Sequence, residues 1–180
     1  GSSVANLDMA AATLKMNDDG SFNLLIGATD LGTGSDTVLA QIAAEVLHTD
    51  VDDMIVYSSD TDFTPFDKGA YASSTAYLSG EAVRKTAESI KRQLLEQAAV
   101  MLGVSDLSTL ALDYKKVVST DGREVSFEQI GLSSLHQKNQ HQIMATESHV
   151  SPVSPPPTAA QFVEIVVDTE TGEINVERML

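Results

Sequence analysis

Apolar positions alternate from Ala10 to Met16 (Ala12, Leu14, Met16) and again from Ser21 to Ile26 (Phe22, Leu24, Ile26), with the turn-forming run Asn17-Asp18-Asp19-Gly20 between them. This predicts a β-hairpin. The period then changes. After Asp30-Leu31-Gly32-Thr33-Gly34, the apolar residues Val38, Leu39, Ile42, Ala43, Val46 and Leu47 recur at helical spacing, with Ser35 or Asp36 placed to cap the first turn. Met54 to Tyr57 is short and apolar, as a buried strand would be, and the polar run Ser58 to Gly69, broken by Pro65, reads as a loop. From about Leu78 to Leu102, Val83, Ala87, Ile90, Leu94, Ala98 and Met101 step by three or four while charged residues fill the other face. This is the longest predicted helix. Glu81 with Lys85 and Glu88 with Arg92 are spaced for i, i+4 ion pairs, and Gly103 is a natural stop.

The second half is patterned more weakly. Leu110 to Val118 has strand composition, Asp121-Gly122 makes a turn, and Ser126-x-x-Gln129 is a capping box opening a short helix through Ile130 and Leu135. Gln140 to Thr146 suits a further strand. Ser151 to Thr158 holds four of the five prolines and reads as an extended surface connection. Val163, Ile165 and Val167, the turn Asp168-Thr169-Glu170-Thr171-Gly172, and Ile174 with Val176 predict a closing hairpin. Because that hairpin runs almost to Leu180, the natural polypeptide is expected to continue. The predicted fold is α+β, with hairpins and mixed β-strands packed against two main α-helices, as one compact unit or two lobes. The segments are 1–103, a βαβα half; 104–150, a small α/β segment; 151–158, the proline-rich connection; and 159–180, the hairpin.

Composition narrows the chemistry. A formal charge of −15 disfavours nucleic acid, whose binding rests on Lys and Arg neutralising phosphates. It also requires that any bound phosphate be held locally, by backbone N–H groups and hydroxyls. With no cysteine there is no disulfide, thiol nucleophile or iron–sulfur ligand set, and the four histidines never stand at i, i+4, so no protein-ligand metal site is expected. No apolar run approaches the roughly 18 residues of a membrane span, and no secretory signal opens the chain. A cytoplasmic location with no membrane partner is the expectation. The opening Gly1-Ser2-Ser3 carries no argument.

Two turns could carry function. A strand ending in Gly32-Thr33-Gly34 before a helix gathers unpaired N–H groups at the positive helix end, which suits an oxyanion; it is also the simplest sharp turn. There is no Gly-Lys-Ser/Thr of a P-loop, nor the spacing of a dinucleotide fingerprint. Ala70 to Thr75 repeats the theme, with Ser73, Ser74 and Thr75 ahead of the long helix, and reads equally as a turn that satisfies its own backbone. Asp60, Asp62 and Asp67 lack a calcium-loop pattern and are read as turn and cap residues.

The runs D-L-G-T-G-S-D-T-V-L-A-Q-I-A-A-E-V-L, D-T-D-F-T-P-F-D-K-G-A-Y-A-S-S-T-A-Y-L-S-G-E-A-V and F-V-E-I-V-V-D-T-E-T-G-E-I-N-V stand in one order along the chain. Together they resemble the molybdenum-binding subunit of the xanthine dehydrogenase and aldehyde oxidase family, over nearly the whole chain and least between about Val104 and Val150. The resemblance implies that Gly32, Thr33, Gly34, Ser73, Ser74 and Thr75 contact molybdopterin, as its cytosine dinucleotide, with molybdenum. It further implies iron–sulfur and FAD groups on partner subunits or domains, and a parent enzyme that hydroxylates a purine, N-heterocycle or aldehyde. Many members carry glutamine where this chain has Thr33; threonine is shorter and has no amide, so a reach toward the metal is not carried over. The family's catalytic glutamate lies in a Gly-Glu motif beyond the closing hairpin, and neither Gly80-Glu81 nor Gly172-Glu173 matches its place. No catalytic residue is therefore assigned, and the chain alone is expected to be inactive. The alternative is a noncatalytic interaction or cofactor-handling module that keeps the fold.

Overall fold

A computed structural model of the chain describes residues 3–138, 140–156 and 158–180. Gly1 and Ser2 of the opening run, and Pro157 of the proline-rich connection, lie outside the described residues. Strand β1 (Met9–Met16) and strand β2 (Phe22–Ile26) form the expected hairpin, registered Leu14 to Leu24 and Met16 to Phe22. Helix α1 (Ser35–Leu47) leads to β3 (Met54–Ser58), which pairs parallel to β2. A long loop then opens helix α2 (Thr75–Leu102). Strands β4 (Leu110–Asp113), β5 (Lys116–Ser119) and β6 (Glu124–Ser126) make a small antiparallel sheet, followed by helix α3 (Phe127–His136). Strand β7 (Met144–Val150) returns to pair with β1, completing a mixed sheet in the order β3-β2-β1-β7. Strands β8 (Val163–Val167) and β9 (Ile174–Met179) pair with each other as a separate ribbon.

The period-2 pattern sends Ala10, Ala12, Leu14 and Met16 of β1, with Phe22, Leu24 and Ile26 of β2, into one face of the main sheet, where all are buried. Helix α2 crosses that face with Val83, Ala87, Ile90, Leu94 and Ala98 fully buried, and α1 packs beside it through Leu39, Ala43 and Leu47. The helices approach closely because position 80 is glycine: a Cβ there would meet Ile42 Cδ1 at 2.9 Å. Phe127 at the start of α3 meets Phe22 edge to face, with centroids 5.9 Å apart, joining the small sheet and α3 to this core.

Several expectations are corrected. Neither Ser35 nor Asp36 caps α1: Gly34 is the N-cap, at φ 71°, with no side-chain hydrogen bond. Strand β3 is an edge strand with Ile55 and Tyr57 exposed, not a buried one. Helix α2 begins at Thr75, one turn earlier than its apolar periodicity predicts. Its ion pairs are Arg84 with Glu81 and Glu88, and Arg92 with Glu96, because Lys85 turns to His149 Nδ1 at 3.2 Å. The run Leu110 to Val118 is a hairpin, not one strand, and the strand expected over Gln140 to Thr146 lies at Met144–Val150. The capping box at Ser126 and Gln129 and the glycine stop at Gly103 form as expected.

Candidate functional site

The topology brings the two turns together. Strands β2 and β3 are parallel neighbours, so their carboxyl ends, Ile26 and Ser58, lie side by side, and each releases a loop that opens a helix. Such ends are where ligands bind in sheets of this kind. The loops are stitched at the base: Ser59 Oγ donates to Ala28 O at 2.9 Å, Ser59 N to Ile26 O at 3.2 Å, and Ser58 Oγ to Asp36 Oδ2 at 3.0 Å. Beyond the stitches they part around a cleft of about 400 Å³. Thr33, Ser35, Ser73, Ser74 and Thr75 supply its hydroxyls, while Leu31, Val38, Leu39, Ala70 and Ala76 with the Tyr71 ring supply its apolar lining. Among the described residues no charged side chain lines it.

Four of the six residues expected to bind cofactor therefore line one cleft; Gly32 and Gly34 do not. Their N–H groups are not free, as the sequence had suggested. Asp30 Oδ1 accepts from Gly32 N at 2.8 Å and Gly34 N at 3.2 Å. Chiefly the Gly32 N–H, joined by those of Gly34, Thr33 and Asp36 against partial desolvation, holds the Asp30 carboxyl below its ordinary 3.8. The chain's own carboxylate thus occupies the nest. The glycines are there for backbone conformation, at φ 92° and 71°, and an added Cβ at either would meet nothing within 4 Å.

The second turn differs. Ala72 and Ser73 lie at φ 48° and 55°, Ser74 N donates to Tyr71 O at 3.0 Å, and Ser74 is the N-cap of α2 with no side-chain cap of its own. The start of α2 is thus a positive helix end beside hydroxyls, with no acidic residue in its first turn. Across the cleft Ser35 is 5% exposed, and its Oγ is buried with no hydrogen-bond partner. A buried hydroxyl without a partner costs stability, of order 1–3 kcal/mol. Buried Asp36 Oδ1 also lacks a partner, while its Oδ2 is engaged by Ser58. Neutral hydroxyls, an uncapped helix start and an orphaned buried Oγ fit an uncharged or phosphate-bearing organic group, as in molybdopterin; they do not fit a bare metal ion. Among the described residues no cluster of three His, Asp or Glu could hold one.

Sequence reasoning missed Asp30 and Tyr71 and read Ser35 only as a cap. Asp30 two residues before glycine was a local signal; the Tyr71 contact, to Asp8 Oδ1, spans 63 positions and left none. The three aspartates act as turn and loop residues: Asp62 N donates to Asp60 Oδ1 at 3.0 Å, and Asp67 Oδ2 accepts from Ser79 Oγ at 2.6 Å.

A doubly turned cleft at the ends of parallel strands, lined among the described residues by hydroxyls and no cation, is suited to an organic ligand. A family model described as "Molybdopterin cofactor-binding domain" matches residues 1–180, and the chain belongs to that family. The "Probable hypoxanthine oxidase XdhD" of Escherichia coli (strain K12) is 38% identical over 177 residues, covering 98% of this chain and 18% of that protein. The xanthine dehydrogenase molybdenum-binding subunit of Escherichia coli O157:H7 is 35% identical over 179 residues, 97% of this chain and 24% of that one. The chain therefore spans less than a quarter of the length of either relative. A Cu,Mo-CO dehydrogenase structure superposes with a TM-score of 0.76 at 23% identity, over 94% of this chain and 22% of the other, a likeness of fold.

Proposed function

We propose that this chain is a domain-sized part of a molybdenum hydroxylase subunit of the xanthine dehydrogenase type and supplies one wall of the seat for its molybdopterin. The observation that carries the reading is the convergence of both helix-opening turns on one cleft where the Ser35 hydroxyl is buried without a partner. In this proposal Ser35, Ser73, Ser74 and Thr75 hold oxygens of the cofactor through hydroxyl and N–H donors, and Thr33 contributes its hydroxyl. Gly32 and Gly34 shape the turn and leave room beside it, since Asp30 already engages their N–H groups. The cofactor is proposed to be the cytosine dinucleotide form. When bound, it supplies two-electron redox chemistry for hydroxylating an electron-poor carbon of a purine, N-heterocycle or aldehyde. Iron–sulfur and FAD groups on partner subunits or domains of a cytoplasmic assembly would take up the electrons. The chain's residues bind and orient; none is assigned a proton-transfer role.

The test is to produce the natural, longer subunit with its partners in a cofactor-competent host and to measure molybdenum and released pterin nucleotide. Wild type is expected to carry both, and Ser35→Ala to retain about fivefold less pterin nucleotide at equal expression, the equivalent of one hydrogen bond. Unchanged retention would remove Ser35 from the seat. A well-folded wild type carrying neither molybdenum nor pterin would overturn the function and leave the noncatalytic module. The isolated 180-residue chain is expected to turn over neither xanthine nor an aldehyde.

A further inference from the structure

The cleft wall between Gly69 and Ser74 is contorted and thinly held. Gly69, Ala72 and Ser73 all lie at positive φ, at 109°, 48° and 55°. Alanine and serine enter that region when their surroundings hold them there. Upstream, the loop is zipped to β1: Ala11 N donates to Phe66 O at 2.9 Å, Lys68 N donates to Met9 O at 3.3 Å, and Asp67 bridges Ala10. Asp67 adds two more ties, accepting from Gly69 N at 2.8 Å and Ser79 Oγ at 2.6 Å. Downstream, α2 begins at Thr75. Among the described residues, one side-chain hydrogen bond joins residues 70–73 to the rest of the chain, from the Tyr71 hydroxyl to Asp8 Oδ1.

Asp8 is fully buried, one residue before β1. Its Oδ2 accepts from Val4 N at 2.5 Å, and Lys68 Nζ, half exposed, stands 3.7 Å from Oδ1. A buried carboxylate in a chain this acidic is costly unless each oxygen is engaged. The ring of Tyr71 lines the cleft while its hydroxyl reaches back to that carboxylate, so the same side chain forms the wall and anchors it.

We propose that Asp8 and Tyr71 form a clamp that holds the second turn in its left-handed conformation, making Asp8 a positioning residue for the cleft. The clamp stands on geometry alone; its effect on cofactor retention rests on the function proposed above. Tyr71→Phe keeps the ring in the wall and removes the tie. In the full-length subunit, amide exchange measured by mass spectrometry is expected to rise about tenfold in peptides covering 69–76, the change that loss of one hydrogen bond to a charged group gives. Peptides from β1, β2 and the middle of α2 should keep wild-type exchange, an outcome that general destabilisation would not give. Retained pterin nucleotide is expected to fall severalfold. Asp8→Asn should raise the same local exchange; should it fail to fold, Tyr71→Phe carries the test. Wild-type exchange over 69–76 in Tyr71→Phe overturns the clamp. Raised local exchange with undiminished pterin nucleotide overturns its role in cofactor retention. A cofactor-free wild type overturns the underlying function and leaves the exchange comparison valid.

Discussion

At Gly27 a Cβ would sit 2.4 Å from Pro65 O and 2.9 Å from Asp67 N, backbone atoms that no side-chain rotation can move aside. The loop that carries the second turn therefore lies directly on the end of β2, and position 27 sets how closely. Gly27→Ala is expected to cost about 2 kcal/mol, in the range of an overpacked interior site, read as a lower urea midpoint at unchanged slope. At this scale the sequence was legible where the reason for a residue is local. Gly32 and Gly34 announced a turn, and they are needed for positive φ. The use of their N–H groups was not legible in the same way, because Asp30 is as plausible in solvent as in the nest it fills. Ser35 shows the opposite failure: a serine at a helix start reads as a cap, and its burial without a partner is visible only in the fold.

Elements were legible in proportion to their periodicity. β1, β2 and α2 repeat an unambiguous period, and their core faces are those the pattern names. The run Leu110 to Val118 misled because its break is at Tyr114-Lys115, which has no glycine or asparagine to mark it. Lys115 takes φ 55° there, with Nζ held by Asp50 at 3.1 Å and Asp53 at 2.9 Å while the Tyr114 hydroxyl donates to Asp50. Contacts some 60 residues away decide that turn. β7 carries a pH response of its own. His149 is pushed below its ordinary 6.5, mainly by burial and next by Lys85, with Arg84 in the same direction and Glu81 opposing. The unfolded chain then takes up the proton first, so stability is lost as pH falls from 6.5 toward the lower folded value. The thermal midpoint is expected to drop between about pH 7.5 and about pH 5.5, and His149→Gln should remove that step.

For the whole molecule, the α+β class and the hairpins could be read from the sequence, but the partnership of β7 with β1 joins residues some 130 apart and left no local mark. The ribbon β8–β9 was predicted as a hairpin, yet Val163, Ile165, Val167, Ile174 and Val176 are all exposed, so alternation here does not mark a core built by this chain. Among the described residues no helix is long and apolar enough to cross a membrane. Among the described residues no lysine or arginine lines the cleft, and the chain around it carries −15. Ion exchange therefore runs opposite to that of a basic phosphate site. Such a site releases counterions on binding and weakens in salt; here the net negative charge of the chain repels an anion at long range, and salt screens that repulsion. Inorganic pyrophosphate, followed by phosphorus NMR on the chain, is expected to bind more tightly as sodium chloride rises from about 10 to about 150 mM, over which the screening length shortens to about 8 Å. Weakening over that range would place the anion against a cation outside this cleft. A cleft of this kind is expected to fill more readily at about 150 mM salt than in a dilute buffer.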